Sequence, residues 1–197
     1  MELPSRTLGI AFSDGDGTSR IAGAVVTADG VFDGLGFERC TVGGADATDA
    51  LVALWAALGR EDIRHVACAG VAPAWFNLLD LRRLHETVDR PVYAVSYEAS
   101  AGLESALRDA FDGSDLIDRL DTYRSLPPRV RADVDASDAD LAEKTDPLFV
   151  RAVGLDDGHA IAAARGLVRE GFRRPEPLRI AAIAASAHRE ALDQHGG

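Results

Sequence analysis

The chain has 197 residues, a net charge of −11 and two cysteines, Cys40 and Cys68. A single core of that size needs neither disulfide nor structural metal, and cysteines inside predicted strands without metal-ligand spacing read as buried thiols of a reducing cytoplasm. No apolar run reaches the ~20 residues of a membrane span, and MELPSRT lacks the basic start and apolar centre of an export signal, so a membrane partner is excluded and a cytoplasmic location is expected.

The charge first argues against nucleic acid, because phosphates favour basic surfaces. Its detail changes the reading: of 21 basic residues only Lys144 is lysine, and aspartate far outnumbers glutamate. That pattern suits a halophilic protein in a high-salt cytoplasm, where acidic side chains hold water. In such salt, about four phosphate contacts lose roughly 3 to 4 orders of magnitude in affinity per tenfold rise. Nucleic-acid binding then has to rest on stacking, shape and base contacts.

Along the chain, Thr7 to Phe12, Ile21 to Thr27 and Val31 to Val42 predict three antiparallel strands joined by tight turns. The turn Ser13 to Ser19 is glycine-rich; it reads as a hairpin loop, with a phosphate cradle as the alternative. Asp46 to Leu58 predicts a helix with Asp46 as N-cap and Asp49 in its first turn. Arg64 to Val71 predicts a buried central strand, Trp75 to Val88 a helix, and Pro91 to Ser96 a second buried strand. Together these make a right-handed parallel crossover. The carboxyl ends of such strands carry sites in α/β sheets, so Gly70 to Asn77 and Ser96 to Ser100 line the expected cleft.

Helical patches follow at Leu103 to Phe111 and Leu116 to Leu126. The stretch of about 127–146 reads as a mobile excursion within one domain spanning 1–197. Leu148 to Val153 predicts a strand, Asp156 to Arg169 a helix, and Leu178 to Ala191 a last helix. Arg82, Arg83, Arg129 and Arg131 are candidates to meet phosphates.

DPLFVRAVGLDDGHAIAAARGLVREGFRRPEPLRIAAIAAS, from Asp146 to Ser186, resembles the C-terminal part of endonuclease V. VGGADATDA, from Val42 to Ala50, and AGVAPAWFNLLDLRRLHETVDRPVYAVSYE, from Ala69 to Glu98, resemble more closely the archaeal UPF0215 (domain of unknown function 99) family, a relative of endonuclease V. The resemblance implies a ribonuclease H-like fold: a mixed α/β sheet of three antiparallel strands followed by parallel strands, flanked by helices. It also implies Mg²⁺-assisted hydrolysis of a phosphodiester near hypoxanthine. Carboxylates would come from the first strand, the helix after the third, the fourth strand and a position just past the closing arginine. Hard divalent cations require such anionic oxygens.

Laid on that pattern, the first-strand, fourth-strand and closing positions are Ala11, Ala69 and Ala182, and the family's lysine falls near Tyr97. Only the helix carboxylate is kept, as Asp49, with Asp14 able to replace the first-strand acid. The reading is therefore a catalytically degenerate endonuclease V-like protein without a metal cofactor. It keeps a cleft for a modified base, a nucleotide or single-stranded, inosine-containing nucleic acid. Gly43, Gly44, Gly70 and Gly154 would allow close approach, and Phe76 or Tyr97 would stack. One alternative is an active Mg²⁺- or Mn²⁺-dependent nuclease with catalytic Asp14 and Asp49 and a metal set of Asp14, Asp46, Asp49 and Asp157. The other is a protein-interaction scaffold.

Overall fold

The computed structural model describes residues 5–132 and 147–195. Three strands open the chain, β1 (Arg6–Asp14), β2 (Thr18–Thr27) and β3 (Phe32–Thr41), paired antiparallel as the alternation predicts. Then come α1 (Ala47–Leu58), β4 (Ile63–Ala69), a short turn α2 (Pro73–Phe76), α3 (Leu81–Val88) and β5 (Val92–Ser96). The chain continues through α4 (Glu104–Ala110), α5 (Gly113–Ser125), β6 (Val130–Ala132) and β7 (Leu148–Val153), and ends with α6 (Asp157–Gly166) and α7 (Glu176–His195). The seven strands form one sheet in the order β3-β2-β1-β4-β5-β7-β6. β4 runs parallel to β1 and to β5, while β7 runs antiparallel to β5 and to β6. This is the mixed sheet expected of a ribonuclease H-like fold.

The sheet is covered on both faces, and residue size decides how closely. Leu8, Ile10, Val66 and Cys68 point towards α1 and α3, where they pack with Leu51, Leu54 and Leu84. Alternate positions on the same strands point to the other face, and there the residues are small: Gly9, Ala11, Ala24, Ala67 and Ala69. Small side chains let α7 lie close against the centre of the sheet through Ala181 and Ala185, both fully buried. Cys40 and Cys68 are buried free thiols, and burial pushes both up to about 12.

Glu176 anchors the start of α7. Its residue is 5 % exposed, and its carboxylate accepts from Arg179 Nε at 2.8 Å and Nη2 at 2.7 Å, with Arg169 at 4.0 Å. The Arg179 hydrogen bonds, outweighing burial, hold its carboxyl below the ordinary value of 4.5. A depressed folded value means that the stabilisation is complete above the unfolded value and is lost as pH falls through the folded one. Glu176→Gln is expected to cost roughly 1 to 3 kcal/mol at neutral pH, with the gap to wild type in urea unfolding closing below pH 4.5. A gap that stays constant into acid would show that Glu176 acts by packing alone.

Two local readings are corrected. The helix expected over Trp75 to Val88 is split: α2 is a left-handed turn, and α3 starts only at Leu81, capped by Asp80, whose carboxylate accepts from the Arg83 amide at 2.9 Å. Asp46 precedes α1 but does not cap it with its side chain. Within the stretch read as an excursion, Val130–Ala132 pairs with β7 as an edge strand, and 133–146 lies outside the described residues. No helix among the described residues is long and apolar enough to cross a membrane.

Candidate functional site

A cleft of about 770 Å³ opens at the carboxyl ends of β1, β4 and β5, where the parallel crossover predicts a site. Ala11 from β1, Ala69 from β4 and Ala182 from α7 all line it. They also belong to one packed apolar cluster with Ala24, Ile180 and Ala181. The three alanines at which the sequence resemblance leads one to expect carboxylates therefore converge in space. Around this floor stand Asp14, Gly70, Trp75, Tyr97, Glu98, Arg173 and Arg174.

Gly70 lies at φ +81°, and a Cβ there would meet nothing within 4 Å, so the space above its backbone is open. The Tyr97 hydroxyl is shielded and makes no hydrogen bond. Burial, partly offset by Arg174 and Arg173, pushes it up to about 12. The Arg174 guanidinium sits 5.7 Å from the Tyr97 ring centre, close enough for a cation–π contact.

The remaining acids are scattered. Asp14 lines the cleft and accepts from the Ser19 hydroxyl at 2.6 Å. Asp46 turns back towards β3, accepting from the Thr41 amide at 3.0 Å, the Thr41 hydroxyl at 2.9 Å and Asn77 Nδ2 at 2.7 Å. Burial pushes its carboxyl up, but the bonds from Asn77 and Thr41 together hold it below the ordinary value. Asp49 is exposed on α1 and pairs with Arg83 at 2.5 Å, outside the cleft lining. Asp157 opens α6 after β7, whose Val153 pairs with Val92 at the amino end of β5, so it lies at the opposite end of the sheet. Among the described residues no three His, Cys, Asp or Glu side chains gather as a metal-binding group. Methyl groups offer a hard cation no oxygen; the acids lining this cleft among the described residues are Asp14 and Glu98, fewer than the ligand set the resemblance implies, and the four-aspartate set does not assemble.

Several predicted ligand contacts also move. Gly154 stands at that same far end of the sheet, where a Cβ would strike the His85 ring at 2.5 Å; it is a packing glycine. Gly43 and Gly44 sit behind the cleft wall, and a Cβ on Gly43 would lie 2.7 Å from the Trp75 ring. Phe76 packs into a satellite cluster with Leu78, Leu107, Leu120 and Phe111 instead of lining the cleft. Arg82 is spent on the Ser125 carbonyl and Arg129 on those of Glu98 and Ser100.

Trp75 and Asn77 fall within the stretch expected to line the cleft but are not singled out there by the sequence, and Arg119 is not expected there at all. Asn77 is fully buried: its Oδ1 accepts from the Ala47 amide at 2.9 Å, capping α1 from thirty residues away, while Nδ2 donates to the Thr41 carbonyl and to Asp46. Ala74, Trp75 and Phe76 are consecutive non-glycine residues at φ 48°, 52° and 62°, each costing of order 1 to 3 kcal/mol unless its surroundings fix it. Arg119, 8 % exposed, fixes them: Nε donates to the Phe76 carbonyl, and Nη2 to those of Gly43 at 2.7 Å and Gly44 at 2.9 Å. Its guanidinium lies 3.9 Å over the Phe111 ring, and the Gly43 amide donates to the Ala74 carbonyl at 2.7 Å. The available signal was the run AWFN itself, two aromatics before an asparagine at the mouth of a predicted cleft.

The sequence matches the endonuclease dU family profile over residues 4–189. A UPF0215 protein of Pyrobaculum aerophilum is 31 % identical over 189 residues, covering 94 % of each chain. A UPF0215 protein of Thermococcus kodakarensis is 34 % identical over 149 residues, 75 % of this chain and 69 % of that one. Among solved structures, a protein of unknown function from Archaeoglobus fulgidus superposes with TM-score 0.77 and 24 % identity over 93 % of this chain and 97 % of that one. Endonuclease V from Ciona intestinalis, in complex with DNA containing an inosine, gives 0.60 at 10 % identity over 96 % and 87 %. These structural likenesses establish an endonuclease V-like fold.

Proposed function

The chain belongs to the endonuclease dU family, and from that membership and the cleft we propose that it binds single-stranded nucleic acid carrying a deaminated base without cleaving it. The observation that carries the reading is the convergence of Ala11, Ala69 and Ala182 on one cleft floor. Hydrolysis of a phosphodiester at this position of the fold needs charge to activate water and to offset the developing negative charge on phosphate. Three methyl groups supply neither, whereas they leave a smooth floor against which a flat base loses no hydrogen bonds. The family's name points to deoxyuridine and the Ciona complex to inosine, so uracil and hypoxanthine are the base classes to test. The acidic, lysine-poor composition fits binding in a high-salt cytoplasm, where base contacts outlast phosphate contacts.

The test uses end-labelled single-stranded DNA and RNA with one deoxyuridine or inosine, in molar KCl, with Mg²⁺ or Mn²⁺ and with chelator. The expected result is retention of the labelled strand with equal affinity in metal and in chelator, and no product. Metal-dependent cleavage near the modified base would overturn the reading in favour of a nuclease that uses Asp14. Absence of both binding and cleavage in folded protein would favour an interaction scaffold.

A further inference from the structure

We propose that Trp75 is the stacking platform for an unpaired nucleobase, held in the cleft that the indole and the alanine floor line together. Trp75 is 54 % exposed, unusual for the largest apolar side chain, and it lines the cleft instead of the core. Its presentation is built: the turn is left-handed over three non-glycine residues and is gripped by Arg119 and Phe111. Gly43 leaves room for the ring where any side chain would collide with it. Phe111 and Arg119 come from the α4–α5 segment, which places a rigid aromatic buttress behind Trp75, with ring centres 5.1 Å apart.

The occupant follows from the chemistry around the indole. A flat π face in the same cleft as the alanine methyls favours a flat heteroaromatic ring, and base stacking tolerates any base because every base has such a face. Arg173 and Arg174 on the cleft wall supply cationic groups for the phosphate attached to that base. Tyr97 lines the same cleft with its ring, while its shielded hydroxyl stays out of contact with the open space. A lone sugar would use the indole but not the arginines.

The inference rests on the cleft being a nucleic-acid site, and its test separates the two. Trp55 and Trp75 are the chain's two tryptophans, so Trp55→Phe leaves Trp75 as the reporter. Titrating this variant with a single-stranded oligonucleotide carrying one deoxyuridine or inosine is expected to quench its fluorescence in step with binding measured independently by anisotropy of a labelled strand. In the wild-type background Trp75→Ala is expected to weaken binding about 10- to 100-fold, the worth of stacking one base, while Trp75→Phe retains most of the affinity. Thermal melting of each variant confirms that it is folded, and the unaltered Trp75 reporter gives an answer even if Trp75→Ala does not fold. Binding with no quench and no loss in Trp75→Ala would overturn Trp75 as the platform and leave the cleft reading standing. No binding by the wild-type protein would overturn both.

Discussion

Replacing the three floor alanines together, Ala11→Asp, Ala69→Asp and Ala182→Asp, is expected to create a divalent-cation site at a large cost in stability without the cation. Ala11 is 2 % exposed, and an uncompensated buried carboxylate costs roughly 3 to 5 kcal/mol. For a chain of this length each kcal/mol shifts the melting temperature by about 2 to 4 °C, so the metal-free variant should melt about 6 to 20 °C below wild type. Mn²⁺ or Mg²⁺ should restore part of that loss, since binding at a hundred times Kd adds about 2.7 kcal/mol. Wild type should show no such rise. The double variant Ala69→Asp with Ala182→Asp, at two half-buried positions, keeps the test available if the triple variant does not fold. Equal metal response in wild type, or none in either variant, would mean that these positions are not a vacated cation centre.

The second large effect concerns the contact that brings Ala182 to the floor at all. Gly9 lies on β1 beneath the start of α7, and a Cβ there would sit 2.3 Å from the Pro177 carbonyl carbon and 2.5 Å from its oxygen. Those are backbone atoms, which cannot rotate aside as a side chain can. Gly9→Ala therefore has to separate α7 from β1 along the contact that buries Ala181 and Ala185, and overpacking of a tight core already costs about 1 to 3 kcal/mol. With the rigid Pro177 backbone as the neighbour, a loss of about 3 kcal/mol or more is expected, read as a fall in melting temperature of about 6 to 12 °C. The same displacement should weaken binding of the deoxyuridine strand, because Leu178 and Ala182 of α7 line the cleft. An unchanged melting temperature would mean that β1 and α7 are not in close contact at Gly9.

The sequence by itself determined the strands, most helices, their order and the family, because these follow from short-range periodicity and from motifs read along the chain. It also marked Ala11, Ala69 and Ala182 as the positions where the resemblance implies acids. Only the tertiary structure decided that Ala11, Ala69 and Ala182 meet on one floor, since they lie far apart along the chain and are brought together by sheet order and by the small residues beneath α7. It also placed Phe76 in a side cluster and Trp75, not Phe76, at the cleft. Phe76, Leu79, Leu84 and Val88 keep a helical rhythm, but the backbone at Trp75 is set by Arg119, forty-three residues beyond Phe76, through carbonyls that no side-chain pattern records. The cap of α1 is a similar case: Asp46 carries the local signal, yet the bond to the Ala47 amide comes from buried Asn77. Gly154 and Asp157 fell outside the cleft because β7 runs antiparallel to β5, a direction that a lone strand in sequence does not carry.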